Sequence, residues 1–409
     1  MKKIFWLWIG ILLIYLLFAG RGLFYFHTTQ RNFFSLQAYS WLHGRLDLVK
    51  LPTDITDLSI YQGKAYLYWP PLPTIFVLPF VLLFGINTSD VFYTAFWSSI
   101  SPILIYLTLI QAKKVKLIPQ ISERSILLLT LFFAFGTVFF YLSVLGSVWF
   151  TSQVITMIPL LGSLYFLFKF VGSQKLQDYI ISIICLCLAF WGRNTVIVSI
   201  VLHYYILFRS EKIIRKKLLY ITSFVLIINF FLFGLFNYLR FGNVFETGQG
   251  LHLANPKWKE DLMNYGLLNV HYWPHNFYYL FINPIHFNFK TYFIQPDPEG
   301  NSIFSTSPLF LLIFRSLTHE LFDKQKRILL IYFVTSILSF IFLLSYFGTG
   351  WFQFGYRYAL DIIPLLILAL AWVIGTFRKS IVMMLFILSV IINTMGAIWM
   401  LQLAPLLNY

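Results

Sequence analysis

Apolar and polar positions fall along this chain in blocks, not in single-residue alternation. Apolar runs long enough to cross a bilayer as helices, about 17 to 25 residues, lie near 4–26, 90–111, 125–143, 149–170, 217–239, 327–347, 357–376 and 381–402. Shorter runs occupy 178–192, 194–209 and 304–317. The first two of these are split by Gly192-Arg193-Asn194. That break predicts two short helices meeting at a polar turn within a bundle. The segment 71–86 is apolar but short, and carries Pro71, Pro73 and Pro79. Read as a re-entrant or surface helix on the outer face, it leaves every lysine- and arginine-rich break on the inner side, as the positive-inside bias requires. The pattern then predicts an all-α polytopic membrane protein of about eleven spans, with the N-terminus inside and the C-terminus outside. It predicts one membrane domain over 1–409, with outer loops at 27–89 and 240–302 and a short outer segment at 348–358. The second loop reads as irregular with short helices lying on the bilayer.

Composition supports this picture. The 409 residues are 59% hydrophobic and 11% charged, with a mean hydropathy of +0.77, beyond what a soluble domain of this size shows. The net charge of +15 would suit a nucleic-acid partner. The charges instead cluster in short breaks between apolar runs, which fits cytoplasmic loops and contact with anionic lipid. Lys2-Lys3 and the apolar run after it are too long for a secretory signal and lack a small-residue cleavage site, so they read as a retained first span. Cys185 and Cys187 sit two apart on a helix and face different sides, which argues against a disulfide or a metal pair.

The loop after the first span concentrates the candidate chemistry. It holds Asp47, Asp54 and Asp57, the aromatic run Tyr61, Tyr66, Tyr68 and Trp69, and Lys64. A carboxylate beside a lysine and a row of aromatic rings has the makings of a general base acting on a hydroxyl, with the rings stacking on a sugar or sitting at headgroup level. The competing reading is a solvated loop with an Asx-type turn at Asp54 or Asp57. Arg193, Arg240 and Arg357 form a second group at outer helix ends. Guanidinium forks at a membrane edge need partners, and phosphate oxygens match them. The competing reading pairs them with Asp361, Glu246 or backbone carbonyls. Asp361 lies four residues after Arg357, so that pair is the easy one on an α-helix. The motif HYWPH holds two histidines, but Pro274 spoils the helix that would align them, so no metal is expected there. No Walker loop, G-x-S-x-G or H-E-x-x-H occurs.

In this order several features resemble the GT-C membrane glycosyltransferases, and in particular bacterial relatives of protein O-mannosyltransferases. They are one span, a long outer loop with the amphipathic segment FFSLQAYSWLHGRLDL, Pro70-Pro71-Leu72 leading to Phe84-Gly85, and then WGRN, RFGNVFETG and WFQFGYRY ahead of Asp361. The resemblance implies transfer of a sugar from a polyprenyl-phosphate carrier to a glycan, lipid or protein acceptor on the extracytoplasmic face of a bacterial cytoplasmic membrane, with inversion at the anomeric carbon. Asp57 is the expected base, with Asp54 its alternate or a binder of acceptor or metal. Lys64, Arg193, Arg240 and Arg357 would hold the carrier phosphate, and Tyr61, Tyr66 and Trp69 would line the sugar or lipid path. A divalent cation is left open, since several GT-C enzymes need none. The family carries its catalytic Asp just after the first helix, where this chain has Thr29-Gln30. The alternative is a non-enzymatic flippase or assembly protein for lipid-linked sugars, using the same arginines without a carboxylate.

Overall fold

The computed structural model describes residues 2–253, 256–288, 292–317 and 327–403. Among these, six helices are long and apolar enough to cross a membrane: Lys2–Ala19, Asp90–Lys114, Val148–Ser173, Lys212–Phe241, Arg327–Ser345 and Lys379–Gln402. Shorter apolar helices run over Leu72–Phe84, Leu176–Phe190, Asn194–Arg209 and Ile363–Thr376. Lys324 and Lys326, which belong to an expected inner break, lie outside the described residues.

The Val148–Ser173 helix is the axis of the bundle and is buried along most of its length. The Ile363–Val373 helix is buried almost throughout. The Lys212–Phe241 helix lies at the periphery, where Phe224, Ile227, Phe231 and Leu239 are exposed, the apolar surface a lipid-facing helix presents. Several polar side chains inside the bundle are paired, which a medium without water favours, while others, Ser101 Oγ, Thr108 Oγ1 and Trp372 Nε1 among them, are buried without a hydrogen bond among the described residues. The His203 ring nitrogen Nε2 lies 2.8 Å from Ser182 Oγ, and Asn393 donates to the Thr306 carbonyl at 2.7 Å.

Several expected spans are interrupted. The run 125–143 is two helices, Glu123–Phe135 and Phe139–Val144, separated at Gly136. The run 304–317 is a short α-helix, Ile303–Thr306, followed by the 3₁₀ segment Pro308–Leu317. The run 357–376 opens as a 3₁₀ turn over Arg357–Asp361 before the α-helix begins at Ile363.

The two long loops expected on the outer face contain more order than the sequence pattern suggests. The amphipathic segment forms the helix Phe33–Leu42, which buries Phe33, Phe34 and Ala38. Strands Ser59–Tyr61 and Lys64–Tyr66 make an antiparallel hairpin. Its turn residues Gln62 and Gly63 both have positive φ, 50° and 73°, the backbone a two-residue hairpin turn favours. In the second loop, His286–Asn288 pairs with Tyr292–Gln295. Glu299–Asn301 runs parallel to Gln353–Gly355, which ties this loop to the segment just before Arg357.

Candidate functional site

Asp57 sits just before the first hairpin strand with φ +70°, a conformation uncommon for a non-glycine residue. The second long loop, 240–302, holds it there. The Asp57 amide donates to the Leu253 carbonyl at 3.1 Å, and the Leu253 amide donates to Leu58 at 2.9 Å. The Ser59 hydroxyl donates to Gly248 at 2.6 Å. One Asp57 oxygen accepts from the Trp149 indole at 3.2 Å. Burial pushes the Asp57 carboxyl above the ordinary carboxylate value. Arg31, His252, the Trp149 hydrogen bond and Arg357 only partly offset this.

A cavity of about 620 Å³ opens beside this carboxylate. It gathers Asp57, Trp69, Arg193 and Arg357 from the sequence candidates, and adds Arg31, Trp149 and His252. Each arginine is held differently. Arg31 forms an ion pair with Asp54 and donates to the Thr56 carbonyl at 2.8 Å, with its guanidinium 5.5 Å from the Trp149 ring centroid. Arg193 follows a turn that only glycine permits: a Cβ at Gly192 would stand 2.2 Å from Thr156 Oγ1. Its Nε and Nη2 donate to both oxygens of Asp361 at 2.8 and 3.0 Å, and Thr195 donates to the same carboxylate at 2.5 Å. Asp361 therefore pairs with Arg193 and not with Arg357, four residues away. The 3₁₀ turn over Arg357–Asp361 explains the difference, because its three residues per turn rotate position i+4 off the face of position i.

Arg357 is buried and has no carboxylate partner among the described residues. Its Nε and Nη1 make no hydrogen bond there. The guanidinium lies 5.5 Å from the Phe150 ring and 5.4 Å from the Tyr358 ring. Gly350, at φ +96°, presses against it so closely that a Cβ would stand 3.0 Å from Nε. A buried cation without a contacting carboxylate is costly, and this one borders the cavity, with Asp57 as the carboxylate across it.

The remaining candidates lie elsewhere. Asp54 does not line the cavity. It accepts from the Thr56 amide at 2.8 Å, the Asx-type turn that the sequence allowed, and supports Arg31. Lys64 is exposed on the hairpin. Tyr61 and Tyr66 pack edge-on against Phe241. Arg240 is buried away from the cavity, donating to the Leu67 carbonyl at 3.0 Å and to Asn237 at 2.9 Å, with its guanidinium 4.1 Å from the Phe236 ring. Replacing Arg240 with methionine is expected to strand these acceptors at about 1–3 kcal/mol each. It should lower the thermal midpoint in detergent while leaving turnover per folded molecule near the wild-type value.

Arg31 and Trp149 were not picked out from the sequence. Arg31 is a single charge in a polar loop, and Trp149 looks like the first residue of an apolar run. The one available signal was that Arg31 stands two residues from the position where the GT-C resemblance expects a carboxylate. Among the described residues no three His, Cys, Asp or Glu side chains group to hold a metal ion. Among the described residues Asp57 is the one carboxylate lining the cavity, against three guanidinium groups, so this donor set does not suit a divalent cation.

No family model and no curated protein matches the sequence. Its fold is similar to that of the Archaeoglobus fulgidus oligosaccharyltransferase in the apo form, with a TM-score of 0.51 at 11% identity, covering 95% of this chain and 56% of that one. A structure of the oligosaccharyltransferase AglB from the same organism, in complex with an inhibitory peptide and a dolichol-phosphate, aligns with a TM-score of 0.49 at 11% identity, over 96% of this chain and 56% of that one. The chain thus spans little more than half the length of the solved structures it resembles. It is a mostly helical integral membrane protein whose fold is similar to the membrane fold of that oligosaccharyltransferase.

Proposed function

We propose that this protein is a glycosyltransferase that moves a sugar, a hexose in the simplest case, from a polyprenyl-phosphate carrier to a hydroxyl of a glycan, lipid or protein on the extracytoplasmic face of a bacterial cytoplasmic membrane. The charge pattern, read with the N-terminus inside, supports this sidedness. The observation that carries the reading is the meeting of one carboxylate, Asp57, with Arg31, Arg193 and Arg357 in a single cavity, where Arg357 Nε and Nη1 make no hydrogen bond.

In this reading Asp57 takes the proton of the acceptor hydroxyl as its oxygen bonds to the anomeric carbon. The bond from that carbon to the phosphate oxygen breaks with inversion. The leaving polyprenyl phosphate gains negative charge, which Arg357 and Arg193 stabilise by charge-assisted hydrogen bonds. Trp69, stacked on Tyr68 at 3.9 Å, offers a platform for the sugar. Ile197, Val198, Leu267 and Phe342 give the cavity an apolar wall for the first isoprene units. No step passes through a metal ion.

The full chain, reconstituted in nanodiscs with undecaprenyl-phosphate-linked hexoses, should cleave the lipid-linked sugar and pass it to an acceptor. Movement of the intact lipid across liposome membranes without cleavage would support a flippase and overturn this reading. The pH profile offers a second check. Asp57 must be ionised to act, so turnover should fall as pH drops through its raised pKa, placing the acid limb above the ordinary carboxylate range. Trp149→Phe removes a hydrogen bond that favours the ionised form. The limb of that variant should move to still higher pH, as measured by initial rates across a buffer series.

A further inference from the structure

Asp90 lines no part of the cavity, yet it holds both backbone segments that shape it. It is fully buried at the start of the Asp90–Ser98 helix. Its Oδ1 accepts from the Thr29 amide at 2.8 Å. Its Oδ2 accepts from the Thr29 hydroxyl at 2.5 Å and the Ser147 amide at 2.8 Å. Thr29 stands two residues before Arg31, and Ser147 two before Trp149. The two segments are then joined directly, the Val148 amide donating to the Arg31 carbonyl at 3.0 Å. From there Arg31 reaches the Thr56 carbonyl and Trp149 reaches Asp57 itself.

The local backbone is built around this carboxylate. Ser147 has φ +110°, a conformation that persists only where the surroundings enforce it. A Cβ on Gly146 would lie 2.7 Å from the Asp90 carboxylate. Three hydrogen-bond donors, the Thr29 amide and hydroxyl and the Ser147 amide, are therefore set in register by one side chain two residues before Arg31 and Trp149. The other titratable groups that feel the Asp90 charge are His27 and Tyr93; neither donates to its carboxylate.

We propose that Asp90 is a positioning residue for the reaction: by clamping Thr29 and Ser147 together it fixes Arg31 and Trp149, and through them the orientation and proton affinity of Asp57. This rests on the reading of Asp57 as the base. A carboxylate is required because all three partners are donors. Asparagine would turn an amide NH₂ toward one of them, leaving two donors facing each other.

The test uses the full chain in nanodiscs with an undecaprenyl-phosphate-linked hexose. Asp90→Asn is expected to lower kcat about 10- to 100-fold with KM for the donor changed much less, since a misplaced reacting group costs rate at this scale. Its acid limb should move to higher pH, in the direction of Trp149→Phe. The double variant with Trp149→Phe should lose less than the two single losses combined, because part of the effect of Asp90 passes through the contact of Trp149 with Asp57. Should Asp90→Asn not fold, Thr29→Val and Gly146→Ala weaken the same clamp with the charge kept, and should shift the limb in the same direction with losses of about 3- to 10-fold. An acid limb at the wild-type position in folded variants, or losses that add to those of Trp149→Phe, would overturn the inference. If Asp57→Asn is inactive while these variants behave as wild type, only the role of Asp90 fails. If Asp57→Asn turns over normally, the base reading fails first.

Discussion

Asp57→Asn is expected to lower turnover of a lipid-linked sugar about 10²- to 10⁴-fold, the range a positioned general base contributes. The substitution keeps the volume and the acceptor oxygen that faces the Trp149 indole, so the cavity should stay folded. Donor binding should change little or tighten slightly, because removing a carboxylate from a site with three guanidinium groups removes repulsion toward a phosphate. Turnover and affinity for undecaprenyl phosphate, measured on the same preparation, check both halves. Asp54→Asn should do much less. Asp54 is partly exposed and acts on the cavity only through its ion pair with Arg31, and such pairs contribute little when solvent reaches them.

Arg357→Gln carries the second large effect. Arg193 already has Asp361, and Arg31 already has Asp54. Arg357 is the guanidinium bordering the cavity with no carboxylate partner among the described residues. Loss of a preorganised cation at the leaving phosphate should lower kcat about 10²- to 10³-fold. Binding of undecaprenyl phosphate, read by titration in nanodiscs, should weaken along with it. Arg357→Lys keeps the charge but not the planar fork that Gly350 and the rings of Phe150 and Tyr358 enclose, so it should recover only part of the loss. The glutamine variant should raise thermal stability or leave it unchanged, since it removes a buried charge that lacks a partner.

Much of the architecture was legible in the block pattern, because burial in lipid demands long apolar helices and little else imitates them. What the pattern could not show was where those helices break. Arg357 and Asp361 look like α-helical neighbours, yet the turn between them is 3₁₀, and Asp361 goes to Arg193 from a distant part of the chain. Of the candidate site, Asp57, Trp69, Arg193 and Arg357 meet at one cavity. Tyr61, Tyr66 and Arg240 meet each other's neighbours on the far side of the hairpin instead, around Phe241. Successive strand residues face opposite sides, and nothing local says which side looks inward. The carboxylate expected near Thr29 presents a similar lesson. Thr29 does touch a carboxylate, but it is Asp90, contributed from sixty residues further on and sealed from the cavity.

The most direct measurement is a structure of the Asp57→Asn protein in nanodiscs with an undecaprenyl-phosphate-linked hexose bound. The phosphate is expected within hydrogen-bond distance of Arg357, with the anomeric carbon turned toward residue 57 and the isoprenoid chain against Phe342. A phosphate seated on the Arg240 side of the hairpin, or on the opposite face of the membrane from residue 57, would contradict the shared site on which the transfer depends.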